Sequence, residues 1–258
     1  MQVNHRILSN CFSSLHISSL HASPKKEHDV DDRNLDRHRR DALAMERLTS
    51  SPNIIDIYGY CANTVWTEFL PNTLDHVMKE MSQPESKLLD TTTQMAQSLK
   101  DLHSYDIIHA DITPKQFLVS SDLKTVKLND FNRCRFLPRK KVNSTIKCPV
   151  RIPSAPGNSR APEEYEIDFL TEQLDVFSLA HIWYSVLTHG QISPFKSLSK
   201  PVKEAIKLGH KPILLKKYQS TKLTSSLAVL MYLAYERDPK TRIKSSELVD
   251  ELKKLTAT

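Results

Sequence analysis

The fold is decided by His109-Ala110-Asp111-Ile112-Thr113-Pro114-Lys115-Gln116-Phe117-Leu118-Val119, which is followed closely by Lys127-Leu128-Asn129-Asp130-Phe131-Asn132. Two short apolar strands each deliver one aspartate to a turn, and Asp111 and Asp130 are nineteen residues apart. A single aspartate after a strand means little, because aspartate is common in turns. A hairpin that presents two carboxylates side by side suits a divalent metal bridging phosphates, with one carboxylate left to accept a hydroxyl proton.

Length and composition are those of a globular protein. The 258 residues are 39% hydrophobic and 26% charged, which is ordinary for a soluble domain and enough for a sizeable core or for two lobes. No run of eighteen apolar residues occurs, so no membrane span is predicted. The sequence has no specific nucleic-acid-binding motif, and its net charge of +6 favours acidic partners. The cysteines lack pairing or metal-ligand spacing, which predicts a reducing, cytoplasmic location.

The flanking segments predict mostly helices. A helix with one apolar stripe is expected from Asp31 to Leu48, followed by strands at 54–58 and 63–69 around a turn at 59–62. Apolar residues from Leu88 to His103 recur every three or four positions, which predicts an amphipathic helix leading into the stretch at 109. The segment from Asp175 to roughly Leu187 is apolar on nearly every face, so its helix must be buried.

In this order the motifs resemble those of the protein kinase superfamily. His109-Ala110-Asp111 is similar to its catalytic loop, and Asp130-Phe131-Asn132 to its Asp-Phe-Gly metal motif. Arg160-Ala161-Pro162-Glu163 matches the Ala-Pro-Glu signature, and Arg242 resembles the arginine that pairs with the signature glutamate. The resemblance implies an α+β, two-lobe fold with a small, incomplete β-rich N-lobe at 31–70, a mainly helical C-lobe at 71–258 and an atypical segment at 1–30.

The resemblance also implies ATP and Mg²⁺ as cofactors and gives roles to individual residues. Asp111 is expected to orient the substrate hydroxyl and accept its proton, and Asp130 to chelate Mg²⁺, with Gln116 in the place of the second-metal asparagine. The nucleotide-binding residues are expected to be the gatekeeper Thr67, the hinge Glu68, Phe69 and Leu70, and Leu118 beneath the adenine. His109, Phe131 and Met45 are expected to pack as a spine, Asp175 to cap the catalytic-loop backbone, and Glu163 to pair with Arg242.

Several positions depart from the family pattern. None of the four glycines precedes the predicted first helix, so the Gly-rich loop that covers phosphates is absent from this sequence. The pairing position of that helix holds Asp41, and its lysine partner is not identifiable, although Lys25 and Lys26 are near the right distance. Thr113 replaces the lysine that follows the catalytic aspartate, so a phosphate contact is lost unless Lys115 substitutes for it.

The N-terminal segment allows several interpretations. The first 26 residues hold six serines and no acidic residue. Such a composition is compatible with a transit peptide, with a remnant of small-lobe strands, or with a poorly ordered segment. The first two small-lobe strands are expected to be missing if the chain is truncated.

Three functions stay open at this point. The first is a protein kinase that transfers the ATP γ-phosphate to a protein hydroxyl. The second is a pseudokinase that serves as a binding scaffold, and the third is a small-molecule or carbohydrate kinase. Residues 131–162 contain eight basic residues and no acidic residue. This composition is compatible with a solvated, flexible basic loop. Eight uncompensated charges also predict a docking surface for an acidic protein substrate or another anionic partner.

Overall fold

The computed structural model describes residues 32–61, 64–141, 147–152, 159–166, 170–195 and 201–256. The segment 1–30, with Lys25 and Lys26, lies outside these residues. The α-helices are α1 (Asp32–Arg47), α2 (Leu74–Met81), α3 (Glu85–Ser104), α4 (Pro162–Glu166), α5 (Gln173–Leu187), α6 (Val202–Lys207), α7 (Lys222–Ala234) and α8 (Ser245–Thr256). The strands are β1 (Ile57–Cys61), β2 (Thr64–Thr67), β3 (Asn72–Thr73), β4 (Ile107–Ile108), β5 (Phe117–Val119), β6 (Val126–Leu128) and β7 (Arg135–Phe136). Short 3₁₀ turns occur at Pro114–Gln116 and Lys216–Tyr218.

The architecture is a small strand-rich N-terminal part followed by a mainly helical part, as the sequence predicted. The strands form three small antiparallel sheets in the orders β1-β2, β3-β5-β6 and β4-β7. No helix among the described residues is both long and apolar enough to cross a membrane.

One detail of the predicted strands is wrong. Gly59, which was expected in the turn at 59–62, lies inside β1 and pairs with Trp66. The hairpin expected from the two quoted stretches is present: β5, which follows Asp111, pairs antiparallel with β6, which precedes Asp130. The two aspartates therefore lie on the segments that enter and leave this hairpin at its open end.

Helix α5 is the centre of the helical part. Thirteen of its fifteen residues are buried, as expected for a helix that is apolar on nearly every face. Helices α3, α7 and α2 pack against it, and α3 buries its predicted apolar stripe from Leu88 to His103. The helices around α5 belong to one hydrophobic core that also includes Met45, Leu48, Ile54 and Ile55 of the N-terminal part.

The N-terminal part is attached to this core through β6. Ile54 forms a parallel bridge with Leu128. The amide of Ile55 donates to the Leu128 carbonyl at 3.0 Å, and the Leu128 amide donates to the Asn53 carbonyl at 2.9 Å. Ile54 and Ile55, which were expected to begin a strand of the hairpin, thus lie against the strand that leads to Asp130.

The predicted pair between Glu163 and Arg242 is present and buried. Arg242 donates from Nη1 to Glu163 Oε1 at 2.7 Å and from Nη2 to Glu163 Oε2 at 3.0 Å, and its side chain is 0% exposed. The same guanidinium donates to the carbonyls of Glu236, Gln173 and Arg237. Arg242 therefore holds α4 against the start of α5 and the loop before α8.

Replacement of Arg242 by alanine should destabilise the protein strongly. The change leaves the Glu163 carboxylate and three carbonyls without their donor, and a buried pair broken from one side costs about 3–5 kcal/mol. In a domain of this size we expect the melting temperature to fall by roughly 10 °C. Arg237→Ala is the control, since Arg237 is 57% exposed and meets Glu166 at 3.6 Å. Equal melting temperatures for both variants, measured by calorimetry, would contradict this assignment.

Candidate active site

The loop that carries Asp111 is fixed by the buried carboxylate of Asp175. Asp175 Oδ2 accepts the amide of His109 at 2.8 Å, and Oδ1 accepts the amide of Ala110 at 2.9 Å. The same Oδ2 meets His103 Nε2 at 3.2 Å. Ala110 has a φ of 62°, a left-handed conformation that an alanine adopts at a cost. The two hydrogen bonds offset that cost and aim Asp111 away from the core.

The turn that carries Asp130 is fixed from α1. The amide of Phe131 donates to Asp41 Oδ1 at 2.7 Å. Asp41, at the pairing position of α1, therefore binds the backbone of the Asp130-Phe131-Asn132 motif. Asp130 has a φ of 63° and accepts a hydrogen bond from Asn132 Nδ2. The Phe131 ring lies 5.0 Å from the His109 ring, and Met45 is buried in the same hydrophobic core.

Gln116 and His109 bring the two turns together. The amide of Asn129, the residue before Asp130, donates to the Gln116 carbonyl at 2.8 Å, and His109 Nε2 donates to the Asn129 carbonyl at 3.0 Å. The side chain of Gln116 reaches towards Asp111, with Nε2 at 3.5 Å from Oδ2. The bond between Gln116 and Asn129 continues the pairing of the β5-β6 hairpin, so the hairpin and these side chains together link the Asp111 loop to the Asp130 turn.

Asp111 also has a partner that the sequence did not predict. Arg160 Nη2 donates to Asp111 Oδ1 at 2.7 Å, and Arg160 Nη1 donates to the Ala110 carbonyl at 2.8 Å. The Arg160 side chain is 8% exposed and lies 3.7 Å from Glu164 Oε1. Burial raises the pKa of Glu164 to about 7, although the positive charge of Arg160 opposes the rise.

Arg133 adds a second guanidinium at the same loop. Its Nε donates to the Ala110 carbonyl at 3.3 Å. Burial, and next the positive charge of Arg160, lower the pKa of Arg133. Two cations therefore approach the backbone beside Asp111.

The residues expected to bind the nucleotide lie at the end of β2 and in β5. Thr67 pairs with Ile57 across the β1-β2 hairpin, and Leu118 is half-buried in β5 opposite Lys127. Glu68 is held on two sides: its amide donates to the Asp56 carbonyl at 3.0 Å, and its carboxylate pairs with Lys127. The ion pair with Lys127 connects the expected hinge segment to β6.

The two expected hinge residues that follow Glu68 differ in exposure. Phe69 is 73% exposed, whereas Leu70 packs against the core. The Glu68 amide is already bonded to the Asp56 carbonyl within the protein.

The basic segment at 131–162 is partly compensated, which corrects the prediction of eight uncompensated charges. Arg139 pairs with Asp106, and Lys147 pairs with Asp106 and Glu172. Arg160 pairs with Asp111 and Glu164. Acidic residues from outside the segment therefore neutralise part of its charge. The residues of this segment that stay exposed include Lys140, Lys141 and Arg151.

A cavity of about 320 Å³ adjoins the Asp111 loop, and its lining includes Ile112, Pro114, Ser159, Ile182, Pro194 and Val202. A larger cavity of about 590 Å³ lies between the end of α3, the start of α5 and the loop before α8. The larger cavity is lined by no residue of the Asp111 loop or the Asp130 turn, whereas Ile112 and Pro114 of the Asp111 loop line the smaller one.

Comparison with known proteins identifies the family. A model of the family described as protein tyrosine and serine/threonine kinase matches residues 24–252. The chain belongs to this protein kinase family. The kinase motifs singled out in the sequence all lie within the matched range.

Similar proteins include kinases named for both classes of acceptor. The chain is 26% identical over 228 residues to a probable serine/threonine-protein kinase of Clostridium perfringens, which covers 85% of this chain and 32% of that protein. It is 26% identical over 226 residues to the tyrosine-protein kinase TXK of Mus musculus, with coverages of 84% and 40%. It is 33% identical over 168 residues to a putative serine/threonine-protein kinase/receptor of Acanthamoeba polyphaga mimivirus, with coverages of 62% and 9%. The kinase domain thus spans about a third to two-fifths of the first two relatives.

The kinase site has groups that fit Mg²⁺. Magnesium is commonly held by one or two carboxylates together with substrate phosphates and water. Asp130 would supply a carboxylate, and Gln116, whose Nε2 is turned towards Asp111, would supply its amide oxygen. Asn132 Oδ1 is buried and has no hydrogen-bond partner among the described residues. No cluster of three or more acidic, histidine or cysteine ligands occurs in the described part.

Two kinase-site residues were missed from the sequence. Arg160 was recognised as part of the Ala-Pro-Glu signature, but no role was given to it, and its contact with Asp111 spans 49 residues. Lys115, the expected substitute for the missing lysine, is exposed. Lys127 lies in the quoted stretch, yet its pairing with Glu68 across 59 residues leaves no local signal.

Glu164 makes the stability of the kinase domain depend on pH. Its folded pKa of about 7 lies above the ordinary value of 4.5, so the folded state binds more protons between these values. The stabilisation is complete below pH 4.5 and is lost as the pH rises through about 7. We expect Glu164→Gln to remove this part of the decline in melting temperature, whereas the exposed Glu166→Gln on the same helix should retain it. Identical pH profiles for Glu164→Gln and the wild type would refute the assignment.

Proposed function

We propose that the chain is a protein kinase that transfers the γ-phosphate of ATP to a protein hydroxyl with Mg²⁺. The observation that carries this proposal is the linkage of the Asp111 loop and the Asp130 turn through Gln116 and Asn129. This linkage supports the placement of a general base and of metal ligands at the same site. A binding protein has no chemical need for both carboxylates, and membership of the kinase family supports the same reaction.

In the proposed reaction, Asp111 acts as the general base. Its Oδ1 is held by Arg160, so Oδ2 is the oxygen that takes the proton from the acceptor hydroxyl. The hydroxyl oxygen bonds to the γ-phosphorus as the bond to the β–γ bridging oxygen breaks, and ADP leaves with that electron pair. When bound, Mg²⁺ neutralises charge on the phosphate oxygens, and we propose that Asp130 and Gln116 hold it.

The proposed nucleotide site lies between β2 and β5. We assign Thr67 as gatekeeper and Glu68, Phe69 and Leu70 as hinge, with Leu118 beneath the adenine. The proposal also places the lobe boundary between residues 70 and 71. Lys127 supports this assignment because it ties Glu68 to β6, the strand that ends next to Asp130.

The proposed acceptor is a protein. The 320 Å³ cavity beside the Asp111 loop is mostly apolar and has room for one substrate side chain. The exposed Lys140, Lys141 and Arg151 favour an acidic residue elsewhere in the substrate. Cys134 and Cys148 are free thiols, which supports the expected cytoplasmic location.

A second candidate function is a pseudokinase scaffold. The observation that favours it is the ion pair between Arg160 and Asp111, which occupies one oxygen of the proposed base. Thr113, which stands in the place of the family's lysine, also favours the scaffold. The two functions differ in whether the chain labels a substrate and in whether labelling needs Asp130.

Asp130→Asn should abolish phosphate transfer and weaken Mg·ATP binding. The substitution removes the proposed carboxylate ligand but keeps the shape of the side chain and its contact with Asn132. Transfer from γ-labelled ATP to a generic protein substrate, with and without Mg²⁺, is the measurement. Calorimetric titration with Mg·ATP gives the affinity.

Asp250→Asn is the matched control, because Asp250 is an exposed carboxylate on α8 that pairs with Lys100. It should behave as the wild type does. Equal labelling by wild type and Asp130→Asn would exclude Asp130 as the metal ligand. Mg·ATP binding without any labelling would favour the scaffold.

A further inference from the structure

The residue that follows Asp111 by two positions cannot supply a positive charge. Thr113 stands where related kinases have a lysine, and its hydroxyl cannot neutralise a phosphate. Lys115, the nearest lysine in sequence, is exposed. Among the described residues, the cation that forms an ion pair with Asp111 is Arg160.

Arg160 is held rigidly in this position. Its two terminal nitrogens donate to Asp111 and to the Ala110 carbonyl at 2.7 and 2.8 Å. A guanidinium that makes two such bonds has its plane fixed and does not act as a mobile point charge. Its Nε is buried without a hydrogen-bond partner in the described part of the chain, so one donor remains to be satisfied.

The charges around Arg160 balance only when its own charge is included. Arg160 and Arg133 contribute two cations at the same backbone carbonyl. Asp111 contributes one anion, and Asp175, which accepts the neighbouring backbone amide, contributes a second. Glu164, a further acidic neighbour, lies 3.7 Å from Arg160. Without Arg160, an incoming phosphate group would therefore meet net negative charge beside the proposed base.

We propose that Arg160 supplies the positive charge that Thr113 lacks, orienting Asp111 through Oδ1 and stabilising the γ-phosphate during transfer. The inference rests on the proposed function, since it assigns a positioning and charge-stabilising role in that reaction. It explains how a chain with threonine at position 113 retains a cation beside the base. The cation enters from the segment before Ala-Pro-Glu instead of from the catalytic loop.

The decisive comparison uses the full chain with Arg160→Ala, and the same variant with Thr113→Lys added. Arg160→Ala should lower kcat on the order of a hundredfold, the loss typical of one electrostatic stabiliser. It should weaken Mg·ATP binding by about tenfold and leave Mg·ADP binding unchanged, because only ATP carries the γ-phosphate. Adding Thr113→Lys should restore most of both losses. Arg39→Ala, an exposed arginine on α1, is the control for loss of a positive charge.

Calorimetry with Mg·ATP and Mg·ADP separates this inference from the proposed function. A loss of ATP preference in Arg160→Ala that Thr113→Lys restores supports the inference, even if no variant transfers phosphate and the proposed function fails. If the wild type is active and Arg160→Ala has the same kcat and the same preference for ATP over ADP, the inference is overturned and the proposed function stands. A higher kcat in Arg160→Ala also overturns it, because Arg160 would then block the base. A melting scan of each variant identifies losses caused by unfolding, and Arg160→Lys replaces Arg160→Ala if that variant does not fold.

Discussion

The active-site geometry depends on the buried carboxylate of Asp175. It is the first acid of a helix with almost no polar neighbours, and it accepts the amides of His109 and Ala110 together with His103. A buried carboxylate is tolerated only when hydrogen bonds replace its water, and here the donors come from the loop that carries Asp111. The hydrogen bonds that satisfy the buried Asp175 carboxylate therefore also fix the position of the Asp111 carboxylate.

Much of this architecture is predictable because its signals are local. Helix α3 follows from the periodicity of apolar residues, and α5 follows from a segment that is apolar on nearly every face. The pairing of Glu163 with Arg242 follows from the family resemblance. The roles given to Asp175, His109 and Phe131 as structural residues agree with the observed contacts. What these successes share is that burial alone, or burial with one motif, determines the outcome.

The failures concern contacts between distant segments. Gly59 suggested a turn, but the register of β1 against β2 places it within a strand. The basic segment at 131–162 seemed uncompensated because its acidic partners, such as Asp106 and Glu172, lie outside it. Pairing across long sequence separations leaves no periodic signal in the chain.

The backbone link between residues 53–55 and β6 has a consequence for the order in which the protein opens. The Leu128 amide is bonded to Asn53, and Leu128 in turn accepts the Ile55 amide. Neither amide can reach deuterated solvent while the two segments stay together, and Lys127 adds an ion-pair tie to Glu68. The amides of Ile55 and Leu128 should therefore exchange in a single cooperative event. Strand β6 and the segment after α1 then form one unit of local unfolding, although 70 residues of sequence lie between them.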